Sequence, residues 1–220
     1  MIWVVDNSVA AQGQTQQQNN DFESPSYPKD KLEDFLEKNP NCSKVVNERG
    51  KKLGLGSYED IVSNVPITNG ANTELANKQV PWFNGTESNP PKTINEYYTR
   101  HPSIYGVTTY YGQFPQISIT RKGAVASRIG PKWLADPLNT GEVVFHETLH
   151  AYFYAAGRNS HAKIVEALGI NFTFVKPPDF DSFDVKKQND VTDAQNVTAI
   201  TTWILNGCKN SNTTQRRGRR

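Results

Sequence analysis

Apolar residues recur at regular spacing in only a few stretches of the 220-residue chain, and most of those stretches are helical. Leu32, Phe35 and Leu36 stand at helical spacing within residues 29–38, and Asn39 with Pro40 ends the run. A second short helix is predicted over residues 42–48, stopped at Gly50. A third starts at the capping-box-like run from Ser57 to Asp60 and continues through Val62. Between residues 70 and 115 the period is lost. Pro81, Pro90, Pro91, Pro102 and Pro115 interrupt the segment, and Tyr97, Tyr98, Tyr105, Tyr110 and Tyr111 enrich it, which predicts loops and short strands. Residues 116–120 alternate and carry the best strand signal, followed by a turn from Arg121 to Gly123 and a returning hairpin arm over residues 124–129. Residues 132–136 predict a helical turn before Pro137. Beyond residue 157, Ser160 caps a helix over residues 161–168 that Gly169 terminates. Residues 171–175 predict a strand, residues 176–184 an irregular acidic loop, and Asp193 the cap of a last helix reaching Asn206. The fold class expected is α+β, with a buried central helix, a small sheet and several short helices.

That central helix lies in residues 139–157. Asn139 is a good N-cap, Glu142 can close a capping box with it, and Gly157 suits a left-handed stop. Phe145, Leu149, Tyr152 and Ala156 make one apolar face, and Val144, Ala151 and Ala155 another. A helix apolar on nearly all sides is a buried helix. Its strongly polar interior residues are His146, Glu147 and His150, with Thr148 a lesser case. Burying two imidazoles and a carboxylate without partners costs several kcal/mol, on the order of the penalties for lost hydrogen bonds, and a bound cation satisfies all three together. His146 and His150 are four residues apart and project from one helix face, so both can hold one metal ion. Glu147 lies roughly 100° round from His146, placed to act as a general base.

Composition narrows the setting. Apolar content is 36% and net charge +2, but the last five residues hold four arginines; without them 20 basic residues face 22 acidic ones. The body is therefore no nucleic-acid surface by charge, and no specific nucleic acid is expected as a partner. The expected organisation is a disordered leader or linker over residues 1–24, a folded domain over residues 25–210 and a basic flexible tail over residues 211–220. No apolar run approaches the ~18 residues of a membrane helix. Ile2 to Val5 reads as the stub of an element that begins upstream, so the chain is expected to be part of a larger polypeptide. Cys42 and Cys208 lack zinc-ligand spacing and sit near the two ends of the folded region. A bond between them would close a loop with an entropic stabilisation of roughly 5 kcal/mol and would imply an oxidising, extracellular or exported setting. Two free buried thiols are the alternative.

Zinc in an open site takes three protein ligands, and the motif supplies two. Three of the four histidines lie within sixteen residues, and the third is His161, four residues after Gly157. A chain that doubles back at Gly157 returns His161 toward the motif. Glu166, Asp190 and Asp193 are the alternatives for the third position. Asp179, Asp181 and Asp184 form either a calcium loop or a solvated acidic loop.

The run His146, Glu147, two residues, His150, followed by Gly157 and His161, resembles a zincin metallopeptidase. Relative to the metzincin pattern the glycine comes four residues later and the third histidine five, equivalent to a helix about one turn longer. The aspzincin spacing is nearer. The order of an early cysteine, a strand, the motif, and Asp193 to Asn196 leading into a helix that ends at a cysteine also resembles small domains at the C-terminus of large bacterial surface proteins, some with Rhs-type repeats. The resemblance implies a zincin-like fold and a Zn2+-dependent hydrolase, a metallopeptidase acting on a peptide or protein substrate. It implies His146, His150 and His161 as metal ligands and Glu147 as the catalytic base. A tyrosine or a histidine would stabilise the oxyanion, the tyrosines otherwise being half-buried packing residues with their hydroxyls outward, and the strand at residues 116–120 would pair with an extended substrate. A non-catalytic zinc-stapled module and a zinc hydrolase of a non-peptide bond are the other readings of the same residues.

Overall fold

The computed structural model describes residues 21–78, 90–111, 114–124 and 139–209. A 3-10 turn at Asp21–Glu23 leads into α1 (Tyr27–Lys38), α2 (Pro40–Lys52) and α3 (Tyr58–Ser63). Then come β1 (Ile67–Asn69), α4 (Thr73–Asn77), α5 (Ile94–Arg100), β2 (Gly106–Tyr111) and β3 (Phe114–Ile119). The chain continues through α6 (Arg121–Ala124), α7 (Thr140–Tyr154), α8 (His161–Leu168) and α9 (Val185–Leu205). The architecture is α+β, a small mixed sheet set among helices.

α7 is the buried helix that the apolar pattern predicts. Its start is held by a complete capping box: Asn139 Oδ1 accepts from Glu142 N at 3.1 Å, and Glu142 Oε2 accepts from Asn139 N at 2.8 Å. Phe145 is fully buried, with ring centroids 4.9 Å from Phe35 of α1, 5.9 Å from Tyr58 of α3 and 6.4 Å from Trp203 of α9. Each such side chain contributes about 1.5–3 kcal/mol by leaving water, so α7 is anchored from three directions. Thr148 is satisfied inside this core. Its hydroxyl donates to Phe145 O at 2.7 Å and accepts from Tyr58 Oη at 2.6 Å.

The sheet order is β1-β3-β2. β3 runs parallel to β1 and antiparallel to β2, so both of its edges are used and, among the described residues, β2 is an outer strand. Ile117 and Ile119 of β3 are fully buried, and they lie opposite Thr108 and Gly106 of β2. Because strand side chains alternate, Gly106, Thr108 and Tyr110 share one face. The far face is covered by α5, where Ile94 packs with Tyr97, Tyr98 and Val107.

Several local expectations need correction. The partner of β3 is β2, upstream, and Arg121 to Ala124 form a short helix instead of the turn and the start of a returning arm. The strand at residues 116–120 has no free edge for a substrate. The prolines and tyrosines of residues 70–115 conceal two helices, α4 and α5, each capped by an Asn or Thr side chain. α2 runs through Gly50 to Lys52; the Tyr152 ring packs where a Cβ at Gly50 would stand, so the glycine serves contact and not termination. Residues 171–175 form no strand among the described residues; the Gln195 side chain takes both Val175 N–H (2.9 Å) and Val175 C=O (2.8 Å) in place of a ladder. α9 starts at Val185, eight residues before Asp193, and is capped by Asp184, which accepts from Lys187 N at 2.8 Å. The fold also includes residues 21–24: Asn69 Nδ2 donates to the carbonyls of Phe22 and Ser24, each at 2.7 Å. Residues 1–20, most of the expected arm at 124–129, the turn at 132–136 and the basic tail lie outside the described residues.

Cys42 in α2 and Cys208 just past α9 are disulfide-bonded, with Cα atoms 4.9 Å apart and a sequence separation of 166. The Asn41 side chain donates to the carbonyls of Gly207 and Cys208, each at 3.2 Å, and secures the same corner. Among the described residues no helix is long and apolar enough to cross a membrane.

Candidate metal centre

α7 presents His146 and His150 one turn apart on the side away from its aromatic core, and a cleft of about 490 Å³ opens there. After Tyr154 the chain turns sharply. Gly157 takes a left-handed φ of 65°, where a side chain would be strained, and Arg158 N donates to Phe153 O at 3.0 Å. This reversal delivers two groups to the cleft. The Asn159 carbonyl meets His150 Nδ1 at 2.6 Å, and His161, the first residue of α8, faces both motif histidines. Ring centroids of His161 lie 5.4 Å from His146 and 4.6 Å from His150.

The three imidazoles form a group whose candidate ligand atoms all lie within 4.8 Å of one another; no other cluster of His, Cys, Asp or Glu of this kind occurs among the described residues. The donor set fits a cation. Zinc–nitrogen bonds of about 2.0–2.1 Å in a tetrahedron put ligand nitrogens about 3.3 Å apart. His146 Nε2 and His150 Nε2 are 3.3 Å apart. A backbone carbonyl only accepts, so the contact with Asn159 assigns the proton of His150 to Nδ1 and leaves the Nε2 lone pair facing His146. His161 Nδ1 contacts Asp193 Oδ1 of α9 at 2.8 Å, which likewise leaves Nε2 free. Burial and the neighbouring imidazoles hold His146 well below the usual histidine range and bring His150 down to about 4, so both stand neutral, as ligands must.

Glu147 lines the same cleft from the side of β2. Thr108 Oγ1 divides its proton between Glu147 Oε2 at 2.8 Å and the Glu147 carbonyl at 3.0 Å. Gly106 makes room for the side chain: a Cβ there would lie 2.8 Å from Glu147 Cγ. Burial raises the Glu147 carboxyl to about 7, against the lowering effect of the Thr108 hydrogen bonds. At neutral pH the group therefore both accepts and releases a proton readily.

The remaining candidates separate cleanly. Glu166 is exposed and ion-paired with Arg158 at 3.0 Å, and Asp190 pairs with Lys186 at 2.8 Å; neither lines the cleft. Asp193 does, but its contact is with His161. Asp181 pairs with Lys176 and Asp184 caps α9, so the acidic loop gathers no three-carboxylate group. Of the tyrosines, Tyr105 lines the cleft. Tyr110 stacks on Tyr154 with centroids 4.0 Å apart and donates to His150 O at 3.3 Å, burial pushing its hydroxyl up to about 12. Tyr98 donates to Ser118 O at 2.8 Å.

Gly106, Thr108 and the outer role of Asp193 were not foreseen from sequence. The run from Gly106 to Tyr111 lacks apolar alternation, and its wealth of β-branched and aromatic residues was the available strand signal. Comparison with family models, curated proteins and solved structures finds no match to this chain, so its chemistry is read from the site itself.

Proposed function

We propose that the protein is a zinc-dependent hydrolase that cleaves peptide bonds. One observation carries this reading: three converging imidazoles share a cleft with a carboxylate from the same helix that has its own positioning contacts. His146, His150 and His161 would hold the ion. Zinc held by these three imidazoles would supply Lewis acidity at neutral pH. Glu147 takes the proton of the attacking water and passes it to the departing amine nitrogen. Thr108 holds one carboxylate oxygen of Glu147, Oε2, at 2.8 Å. β2, the outer strand beside α7, offers main-chain groups along which an extended peptide can align. Tyr105 is the tyrosine at the cleft wall and the candidate for steadying a developing oxyanion. The zincin-like character of the fold belongs to this same proposal. The disulfide supports an oxidising, extracellular setting.

The test pairs zinc-loaded wild-type protein with Glu147→Gln on a mixture of unstructured peptides, read by mass spectrometry. Wild type is expected to cleave, and Glu147→Gln to retain zinc and lose cleavage by at least about 10²-fold, the scale of a general base. A Glu147→Gln variant that cleaves at the wild-type rate contradicts the assigned base.

A further inference from the structure

α9 faces the cleft with one stripe. Asp193, Val197 and Thr201 recur every four residues, share a helix face, and all line the cleft. Asp193 is engaged with His161. Thr201 is different: it is 4% exposed, and its Oγ1 has no hydrogen-bond partner. Other threonines of α9 return their hydroxyls to the backbone one turn back, Thr192 to Gln188 O at 2.8 Å and Thr198 to Ala194 O at 2.9 Å. Thr201 Oγ1 makes no such bond.

A second buried polar atom at the cleft is in the same condition. His146 Nδ1 has no partner, whereas the outer nitrogens of His150 and His161 are both bonded. Five buried side-chain polar atoms lack partners among the described residues, and only those of His146 and Thr201 belong to residues lining this cleft. Each unmade buried bond costs about 1–3 kcal/mol, and a hydroxyl can accept what an imidazole N–H donates. Metal-bound imidazoles almost always donate their outer N–H to an oxygen.

We propose that Thr201 Oγ1 is the outer hydrogen-bond partner of His146 Nδ1 in the cation-loaded protein. The inference rests on the zinc reading of the site. The hydroxyl holds the proton on Nδ1 and turns Nε2 toward the cation. α9 thereby positions two of the three ligands, His161 through Asp193 and His146 through Thr201. Thr201 is a positioning residue, acting through His146.

The experiment compares wild type, Thr201→Val and Thr201→Ser, with Val197→Ala as a control on the same stripe. Zinc affinity is measured by competition with a chromophoric chelator, and site geometry by the visible spectrum of the Co2+-substituted protein. Thr201→Val is expected to bind zinc about 10–100-fold more weakly and to shift the Co2+ spectrum, while its metal-free melting temperature does not fall. Thr201→Ser is expected to restore both metal readouts, and Val197→Ala to leave them unchanged. A Thr201→Val variant with wild-type affinity and spectrum overturns the inference and leaves the zinc reading intact. A wild-type protein that takes up no zinc overturns both. One measurement needs no variant: histidine-selective 15N spectra of the zinc-loaded wild type are expected to show a slowly exchanging Nδ1 proton on His146. Its absence also overturns the inference.

Discussion

Gly106→Ala tests how narrowly the fold holds Glu147. The added Cβ would stand 2.8 Å from Glu147 Cγ, 3.2 Å from Glu147 Oε1 and 3.2 Å from Ile119 Cδ1. Carbon contacts settle at about 3.5–4.0 Å, so the nearest neighbour must retreat by roughly 0.7–1.2 Å. Ile119 is fully buried in a strand paired on both sides, and the α7 backbone is packed from three directions. The Glu147 side chain is the part free to give. A retreat of that size breaks its 2.8 Å contact with Thr108. Misplacing a reacting group by about 1 Å costs on the order of 10²-fold in rate, whereas the overpacking itself costs about 1–3 kcal/mol of stability. None of the three atoms nearest this position belongs to an imidazole, so bound zinc is expected to stay at wild-type level. The assay is kcat/KM on the best peptide substrate, with zinc content and melting temperature measured on the same preparation. Wild-type kcat/KM in the zinc-loaded variant would refute the positioning argument. Loss of zinc together with activity would refute it too, because the sheet rather than the base would then have moved.

Other perturbations separate the remaining parts of the account. His161→Ala is expected to weaken zinc binding by on the order of 10²-fold or more in a calorimetric titration, while Glu166→Ala leaves it unchanged; equal affinities in both variants would remove His161 from the ligand set. Replacing both Cys42 and Cys208 by serine is expected to cost about 2–5 kcal/mol in denaturant unfolding, since the bond spans 166 residues, and a loss below 1 kcal/mol would mean that it restrains little. In metal-free protein two titrations oppose each other. Glu147, raised from 4.5 to about 7, withdraws stability as pH rises through that window, and His150, lowered from 6.5 to about 4, withdraws it as pH falls through its own. Metal-free Glu147→Gln should therefore gain stability from pH 4.5 to 6.5 more steeply than metal-free wild type, and identical slopes would contradict the environment assigned to Glu147.

The parts legible in sequence are those whose signal is local. α7 announced itself through its cap, its apolar faces and three polar residues that no ordinary core would keep. α8 was bounded by Ser160 and Gly169, and the reversal at Gly157 made His161 reachable. What stayed hidden depends on distant partners. Gly106 and Thr108 acquire their roles only because β2 pairs with β3 and turns alternate residues toward α7. The first turns of α9 carry no apolar period; they stand exposed on the Asp184 cap and an ion pair between Lys186 and Asp190 at 2.8 Å, so pattern alone started that helix at Asp193. For the same reason Asp193 was legible as a carboxylate near the site but not as the partner of His161, which needs α9 to cross α8.

The central claim is that His146, His150 and His161 hold one cation, and metal content measures it most directly. The protein is stripped with a chelator, reloaded with Zn2+, passed through gel filtration and analysed for metal per chain. One equivalent of zinc, lost in the His146→Ala variant and retained in Glu147→Gln, is the expected result. Less than about a tenth of an equivalent in the reloaded wild type would contradict the account, because three imidazoles at ligand spacing would then have no metal to serve.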